Sequence, residues 1–177
     1  MIYPKFIQEN NTISVPAPSD GAYCEQDVNR FNNAKKQVEN IGYKVILSEN
    51  IFNSEKGRSS TAEKRAEELN KMFDDNTDFI WCAAGGEFLI EMLPYVDFQK
   101  ITNNPKWVEG FSDPTGILFP LTTKYDIATI YGNNFKGLGA EEYDRSLKEN
   151  LEILKGNIIT QNNYDMYEMK EKKKSRV

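Results

Sequence analysis

The residues best placed to do chemistry lie in WVEGFSDPTGILF, residues 107–119. An apolar run enters Gly110, turns through Phe111-Ser112-Asp113-Pro114 and resumes as a second apolar run. A serine on a tight strand-to-helix turn is the arrangement of a nucleophile elbow, which needs small residues so that the backbone can bend. Gly110 supplies one, two positions before Ser112. The matching position after it holds Pro114, which suits the first turn of a helix because its missing N–H has no partner to lose there. The Asp113 N–H is then free to face a developing oxyanion, and the Gly85-Gly86 pair of AAGGE (83–87) is able to bring a second N–H to the same point.

The same residues also read as plain architecture. Ser-Asp-Pro-Thr is an ordinary helix start, with Ser112 or Asp113 as cap and Pro114 as first helical residue. AAGGE reads as a turn, or as an anion-cradling loop at a helix N-terminus. It lacks the G-x-G-x-x-G spacing and the P-loop lysine of a nucleotide site. Glu87, Glu91 and Asp97 read as solvated or capping carboxylates. A serine nucleophile also needs a base, most often histidine, and the 177 residues contain none. Lys124 and Glu109 are the local substitutes, and both are poor ones.

Bulk properties narrow the field. The length suits one domain with a full core, and 39% hydrophobic with 28% charged residues is the balance of a soluble globular chain. A net charge of −5 argues against a nucleic-acid partner. The basic run KEKKKSR (170–176) reads as a solvated end. Cys24 and Cys82 make no disulfide framework and have no metal-ligand neighbours at useful spacing, so with no histidine in the sequence a transition-metal site is not expected. There is no apolar signal core at the start and no run of about 20 apolar residues. A cytoplasmic location without membrane contact is the resulting expectation.

Strand-like and helix-like patterns alternate. TISVPA (12–17), YKVIL (43–47), DFIWCA (78–83), KWVEG (106–110) and DIATIYG (126–132) read as strands. Val28, Phe31, Ala34, Val38 and Ile41 mark one helical face ending at Gly42. Ser60 and Glu63 form a capping-box pattern before the Ala62, Ala66, Leu69, Phe73 face. FLIEML (88–93) predicts a helix stopped by Pro94, GILFPLTTK (116–124) another, and Leu147, Leu151 and Leu154 a last one. This alternation predicts a doubly wound α/β fold of the Rossmann or flavodoxin type, a mostly parallel sheet covered on both faces. In such sheets ligands bind beyond the carboxyl ends of the strands. APSDG (17–21), AAGGE and GFSDP (110–114) fall at such ends. Residues 1–155 read as one domain and 156–177 as a linker or tail.

Taken in order, TISVPAPSDG, GYKV, RAEELNKMF, GGE, LPYVDF, NPKWVEGFSD and GLGAEEYDRSLKENLEILKGN resemble the nucleophile domain of the serine peptidase family S66. That family holds the LD-carboxypeptidases and the microcin C immunity proteins, and the GNNF loop with SLKENLEILKG resembles the latter branch more. The resemblance implies that Ser112 is the nucleophile, that Asp113 and Gly86 give the oxyanion N–H groups, and that Gly85 and Glu87 face the substrate. It implies no metal or cofactor, and a small peptide or peptide-nucleotide substrate cut at an amide next to a free carboxylate. It also implies a second domain carrying the glutamate and histidine of a Ser-Glu-His triad. The expectation is therefore that this chain, ending at Val177, is the N-terminal half and nearly inactive unless a C-terminal domain chain complements it. A homodimer is a further expectation, because a half-enzyme exposes the face that meets its partner domain. Two rivals remain: a truncated remnant or non-catalytic ligand-binding module, and a nucleotide-binding domain that uses AAGGE as its anion loop.

Overall fold

The computed structural model describes residues 1–74 and 76–165, so the basic run 170–176 and most of the expected tail lie outside the described residues. Five strands form, β1 (Thr12–Val15), β2 (Lys44–Leu47), β3 (Phe79–Trp81), β4 (Trp107–Gly110) and β5 (Ile130–Tyr131). They pair in parallel in the order β2-β1-β3-β4-β5. Helices α1 (Glu25–Asn40), α2 (Ala62–Met72), α3 (Phe98–Asn103), α4 (Thr115–Lys124) and α5 (Arg145–Leu154) connect and cover them. Shorter 3-10 helices occupy Glu49–Phe52, Leu89–Tyr95 and Phe135–Gly139.

Because side chains alternate along a strand, a sheet covered on both faces needs apolar residues at every position, which is why FIW is continuously apolar. Phe79 and Trp81 face a layer built by Phe31, Ala34 and Val38 of α1 with Leu147 and Leu154 of α5. Ile80 and Val108 face the other, built by Leu69 and Met72 of α2 with Ile117 and Leu121 of α4. Trp81 is fully buried, lies edge-on to Phe79 and Phe135, and donates its indole N–H to the Asn133 carbonyl at 2.6 Å. Truncating a side chain of this kind costs about 3–5 kcal/mol.

The doubly wound α/β expectation holds, with local differences. FLIEML does not end at Pro94: the segment is a 3-10 helix that runs through it to Tyr95. Asp97 then starts α3, which the pattern did not announce, by accepting the Lys100 N–H at 2.9 Å. The cap of α2 is Thr61 rather than Ser60, its hydroxyl accepting from the Lys64 N–H. The fifth strand shrinks to Ile130–Tyr131. No helix among the described residues is long and apolar enough to cross a membrane.

The order of strands decides where a ligand can sit. β2 and β3 lie on opposite sides of β1, so the direction of winding reverses between β1 and β3 and opens a crevice beyond their carboxyl ends. β3 and β4 are neighbours in register Ile80↔Val108, so the loops leaving β1, β3 and β4 emerge side by side. The segment Phe135–Gly139 is held against α1 by Asn33 Nδ2, which donates to the Gly139 carbonyl, and by Gln37 Nε2, which donates to the Leu138 and Ala140 carbonyls. Gly139 lies so close to the Arg30 carbonyl that a Cβ would overlap backbone. Gly139→Ala is expected to destabilise the domain by about 1–3 kcal/mol, read as a lower urea midpoint. An unchanged midpoint would show that this segment leaves α1 without cost.

Candidate active site

β4 ends at Gly110, and only glycine fits there: a Cβ would stand 2.6 Å from Pro114 Cβ and 3.1 Å from Cys82 Cβ. The chain then turns sharply. Ser112 has φ +67°, the left-handed region, although it is not glycine. A residue held this way costs of order 1–3 kcal/mol, and such strain persists only where the surroundings over-determine it. The turn closes through the Thr115 N–H to the Ser112 carbonyl at 3.0 Å and the Gly116 N–H to the Asp113 carbonyl at 2.9 Å. The Thr115 hydroxyl also donates to the Ser112 carbonyl. Ser112 itself is exposed.

Neither Ser112 nor Asp113 caps the following helix α4, whose N-cap position is Pro114 and which has no side-chain cap. The Asp113 carboxylate turns away and accepts the Leu89 N–H at 3.0 Å. It thereby caps the neighbouring 3-10 helix and ties the loop after β3 to the elbow. The glycine pair sits between. A Cβ on Gly85 would lie 3.5 Å from Ser112 Oγ, and one on Gly86 would lie 3.2 Å from Asp20 N and 3.3 Å from Asp113 Oδ2. Gly86 is therefore lodged between the loop after β1 and the elbow, and neither its N–H nor that of Asp113 donates to an acceptor among the described residues. Gly85, Gly86, Ser112 and Asp113 are thus brought together. Glu87 follows them, exposed and without a hydrogen bond or ion pair among the described residues.

Two residues that sequence reasoning did not single out hold this assembly. Arg65 of α2 is fully buried and donates to the Pro18 carbonyl at 2.8 Å and the Phe88 carbonyl at 3.1 Å. Its other nitrogen reaches Glu91 at 3.1 Å. One guanidinium thus joins the loop after β1 to the loop after β3. Glu91 is not simply solvated: it also takes a two-pronged pair from Arg58, which holds its carboxyl below the usual carboxylate range. Arg58 in turn lies over the Phe88 ring at 3.6 Å. Arg65 sits within the Ala62, Ala66, Leu69 stripe, and a charge on an apolar helical face was the available signal. Asn134 is the second residue. Its Oδ1 accepts the Phe111 N–H at 2.9 Å and its Nδ2 donates to the Phe111 carbonyl at 3.1 Å.

The local base candidates are placed elsewhere. Lys124 ends α4, a ten-residue helix of about 15 Å, and lies over the Tyr125 ring. Glu109 of β4 is fully buried, with neither carboxylate oxygen in a hydrogen bond among the described residues. Its Oε1 lies against Gly132, a position so tight that a Cβ there would overlap it. Burial pushes its carboxyl well above the ordinary value, and the nearby Asn150 amide opposes this only in part. Burial, and secondarily the Glu109 charge, also push the Cys82 thiol up to about 12, which leaves it protonated and unreactive.

Comparison with known proteins converges on one family. The model of the LD-carboxypeptidase N-terminal domain, Peptidase_S66, matches residues 13–132. The chain belongs to the S66 peptidase family. A proposed carboxypeptidase of Vibrio cholerae is 32% identical over 133 residues, covering 75% of this chain and 40% of that protein. The microcin C7 self-immunity protein MccF of Escherichia coli is 30% identical over 105 residues, covering 59% of this chain and 30% of its own length. Among solved structures, an MccF variant in complex with adenosine monophosphate superposes with a TM-score of 0.81 at 25% identity. The match covers 87% of this chain and 47% of the MccF chain. The chain therefore spans less than half the length of these S66 relatives.

The buried carboxyl of Glu109 gives a pH prediction. Its folded-state pKa is raised, so the stability it allows is fully present below the unfolded value of about 4.3 and is lost as pH rises toward the folded value. Glu109→Gln, which resembles the neutral acid, should match the parent near pH 4. Above that it should become the more stable by about 1.4 kcal/mol per pH unit until the folded-state pKa is passed. Urea unfolding from pH 4 to pH 8 measures this, and a difference independent of pH would mean that Glu109 ionises freely in the fold.

Proposed function

We propose that this S66 domain is the nucleophile-bearing half of a serine carboxypeptidase that hydrolyses an amide next to a free carboxylate. The observation that carries this reading is the left-handed backbone of exposed Ser112, with Gly85 against its Oγ and the adjoining Gly86 and Asp113 N–H groups used by no acceptor among the described residues. In this reading Ser112 Oγ attacks the carbonyl carbon as its proton passes to a base. The tetrahedral oxyanion accepts from the Gly86 and Asp113 N–H groups, and the amine leaves with the proton. Water then hydrolyses the acyl-serine, releasing the acid and regenerating the hydroxyl. Gly85 leaves room for the acyl group next to Oγ, and Glu87 is the side chain of that loop offered to the substrate.

The base is not a histidine of this chain, since the 177 residues have none. Glu109 and Lys124 are turned elsewhere. In this reading the proton acceptor lies outside these 177 residues, which the relatives, more than twice as long as the matched region, support. Without it the serine retains only what the oxyanion donors and binding supply, because triad members act as a unit. The relatives' names suggest two substrate classes. One relative is named as a murein peptide carboxypeptidase of Bacillus subtilis, and MccF structures carry adenosine monophosphate or aspartyl sulfamoyl adenosine. A muropeptide or a peptidyl-nucleotide, met in the cytoplasm, is the substrate class that follows.

The lack of histidine also favours a second reading, a module that holds such a ligand without cutting it. The two separate in one experiment. The chain is mixed with the remaining half of an S66 relative, and a fluorophosphonate is followed by mass spectrometry. Covalent labelling at Ser112, together with loss of about 10³-fold or more in amide hydrolysis on Ser112→Ala, is the expected result. Ligand binding without labelling, or hydrolysis that survives the substitution, would sink the serine mechanism.

A further inference from the structure

The backbone of Ser112 needs something to hold it, and the geometry points to Asn134 as the residue that does so. The φ angle of Ser112 is the rotation that relates its own carbonyl carbon to the carbonyl of Phe111. Fixing the Phe111 carbonyl therefore restricts that angle. Asn134 grips Phe111 from both sides, accepting its N–H at 2.9 Å and donating to its carbonyl at 3.1 Å. These two bonds replace the ladder just where it stops. β5 pairs with β4 through Gly110↔Tyr131, and the Gly132 N–H donates to the Gly110 carbonyl at 3.1 Å. One residue further on β4, a side-chain amide takes over the part of a strand.

The amide is itself fixed in place. Its loop is bonded on both sides, by the Asn133 N–H to Asn150 Oδ1 at 3.2 Å and by the Trp81 indole to the Asn133 carbonyl. The Phe135 and Lys136 N–H groups donate to the Cys82 and Ala83 carbonyls, both at 3.0 Å. The loop thus crosses from the end of β4 to the end of β3 and sets Asn134 between the two exits. Asn134 Nδ2 and Ser112 Oγ both lie within 4 Å of the point where a Gly85 Cβ would stand. Asn134 is a positioning residue: it acts on the reaction through the conformation of the elbow.

This inference rests on Ser112 being the nucleophile, but its test does not. The one-bond Cα–Hα coupling and the carbon shifts of Ser112, read by NMR on the 177-residue chain, report the sign of φ without any catalysis. Asn134→Ala is expected to move Ser112 out of the left-handed region while the Trp81 indole resonance and the remaining spectrum stay native. In the mixture with the relative's second half, fluorophosphonate labelling should fall by about 10²-fold, the scale of a misplacement of about 1 Å. Asn134→Asp gives a second handle. The new carboxyl repels the Phe111 carbonyl when ionised and can donate to it when protonated, so the positive-φ signature should return as pH falls through the range of a carboxyl group. A Ser112 that keeps its positive φ in Asn134→Ala, or a signature independent of pH in Asn134→Asp, overturns the assignment. A parent chain that is never labelled overturns the nucleophile reading instead and leaves the φ measurement to decide on Asn134.

Discussion

The site depends on one backbone constraint, the left-handed conformation of a serine at the end of a central parallel strand. A non-glycine residue does not stay there unaided. Gly110 allows the close approach of Pro114, the hydroxyl and N–H of Thr115 hold the Ser112 carbonyl, and Asn134 grips the residue before it. Pro114 and Thr115 belong to the turn itself, whereas the other partners are delivered by the sheet. Asn134 arrives only because β5 pairs with β4, and Gly110 meets Cys82 only because β3 pairs with β4.

The second feature of the site is that the charged groups Arg65 and Asp113 hold its loops together. Arg65 is buried, a placement that costs free energy unless its donors find acceptors. The Pro18 and Phe88 carbonyls and Glu91 satisfy most of that demand. Removing this guanidinium would leave the loop after β1 and the loop after β3 without the side chain that bridges them. Asp113 joins the latter to the elbow, so the crevice at the point where the sheet reverses has its three walls bonded to one another. Such a wall is stiff before any ligand arrives, the condition for N–H groups to stabilise charge without reorganising.

Much of this was legible in the chain. Ser112 between Gly110 and Pro114 announced a sharp strand-to-helix turn, and continuous apolar runs announced a parallel sheet. The family resemblance in those segments was borne out by the family model. Other features were not legible for physical reasons. Asn134 has no pattern of its own, because its role exists only once β4 and β5 are in register. Arg65 lies on the apolar face of its helix, which hints at burial, but the carbonyls it bonds come from two distant loops that only the fold brings to it. Asp113, read as a possible cap of its own helix, caps another, since a carboxylate bonds whichever N–H the fold brings within reach. The helix Phe98–Asn103 is too short for periodicity to reveal, and the two-residue β5 is defined by its ladder rather than by DIATIYG.

The bond from the Trp81 indole to the Asn133 carbonyl has an optical consequence. The chain has two tryptophans, on adjacent strands: Trp107 pairs with Phe79, two residues before Trp81. Trp107 begins β4 among Tyr3 and Phe6, whereas Trp81 ends β3 one residue away from the Asn134 amide. Indole emission responds to the polarity and hydrogen bonding of its N–H. The domain thus carries a native fluorophore wired to the loop that braces Ser112, with a second indole close by on the neighbouring strand.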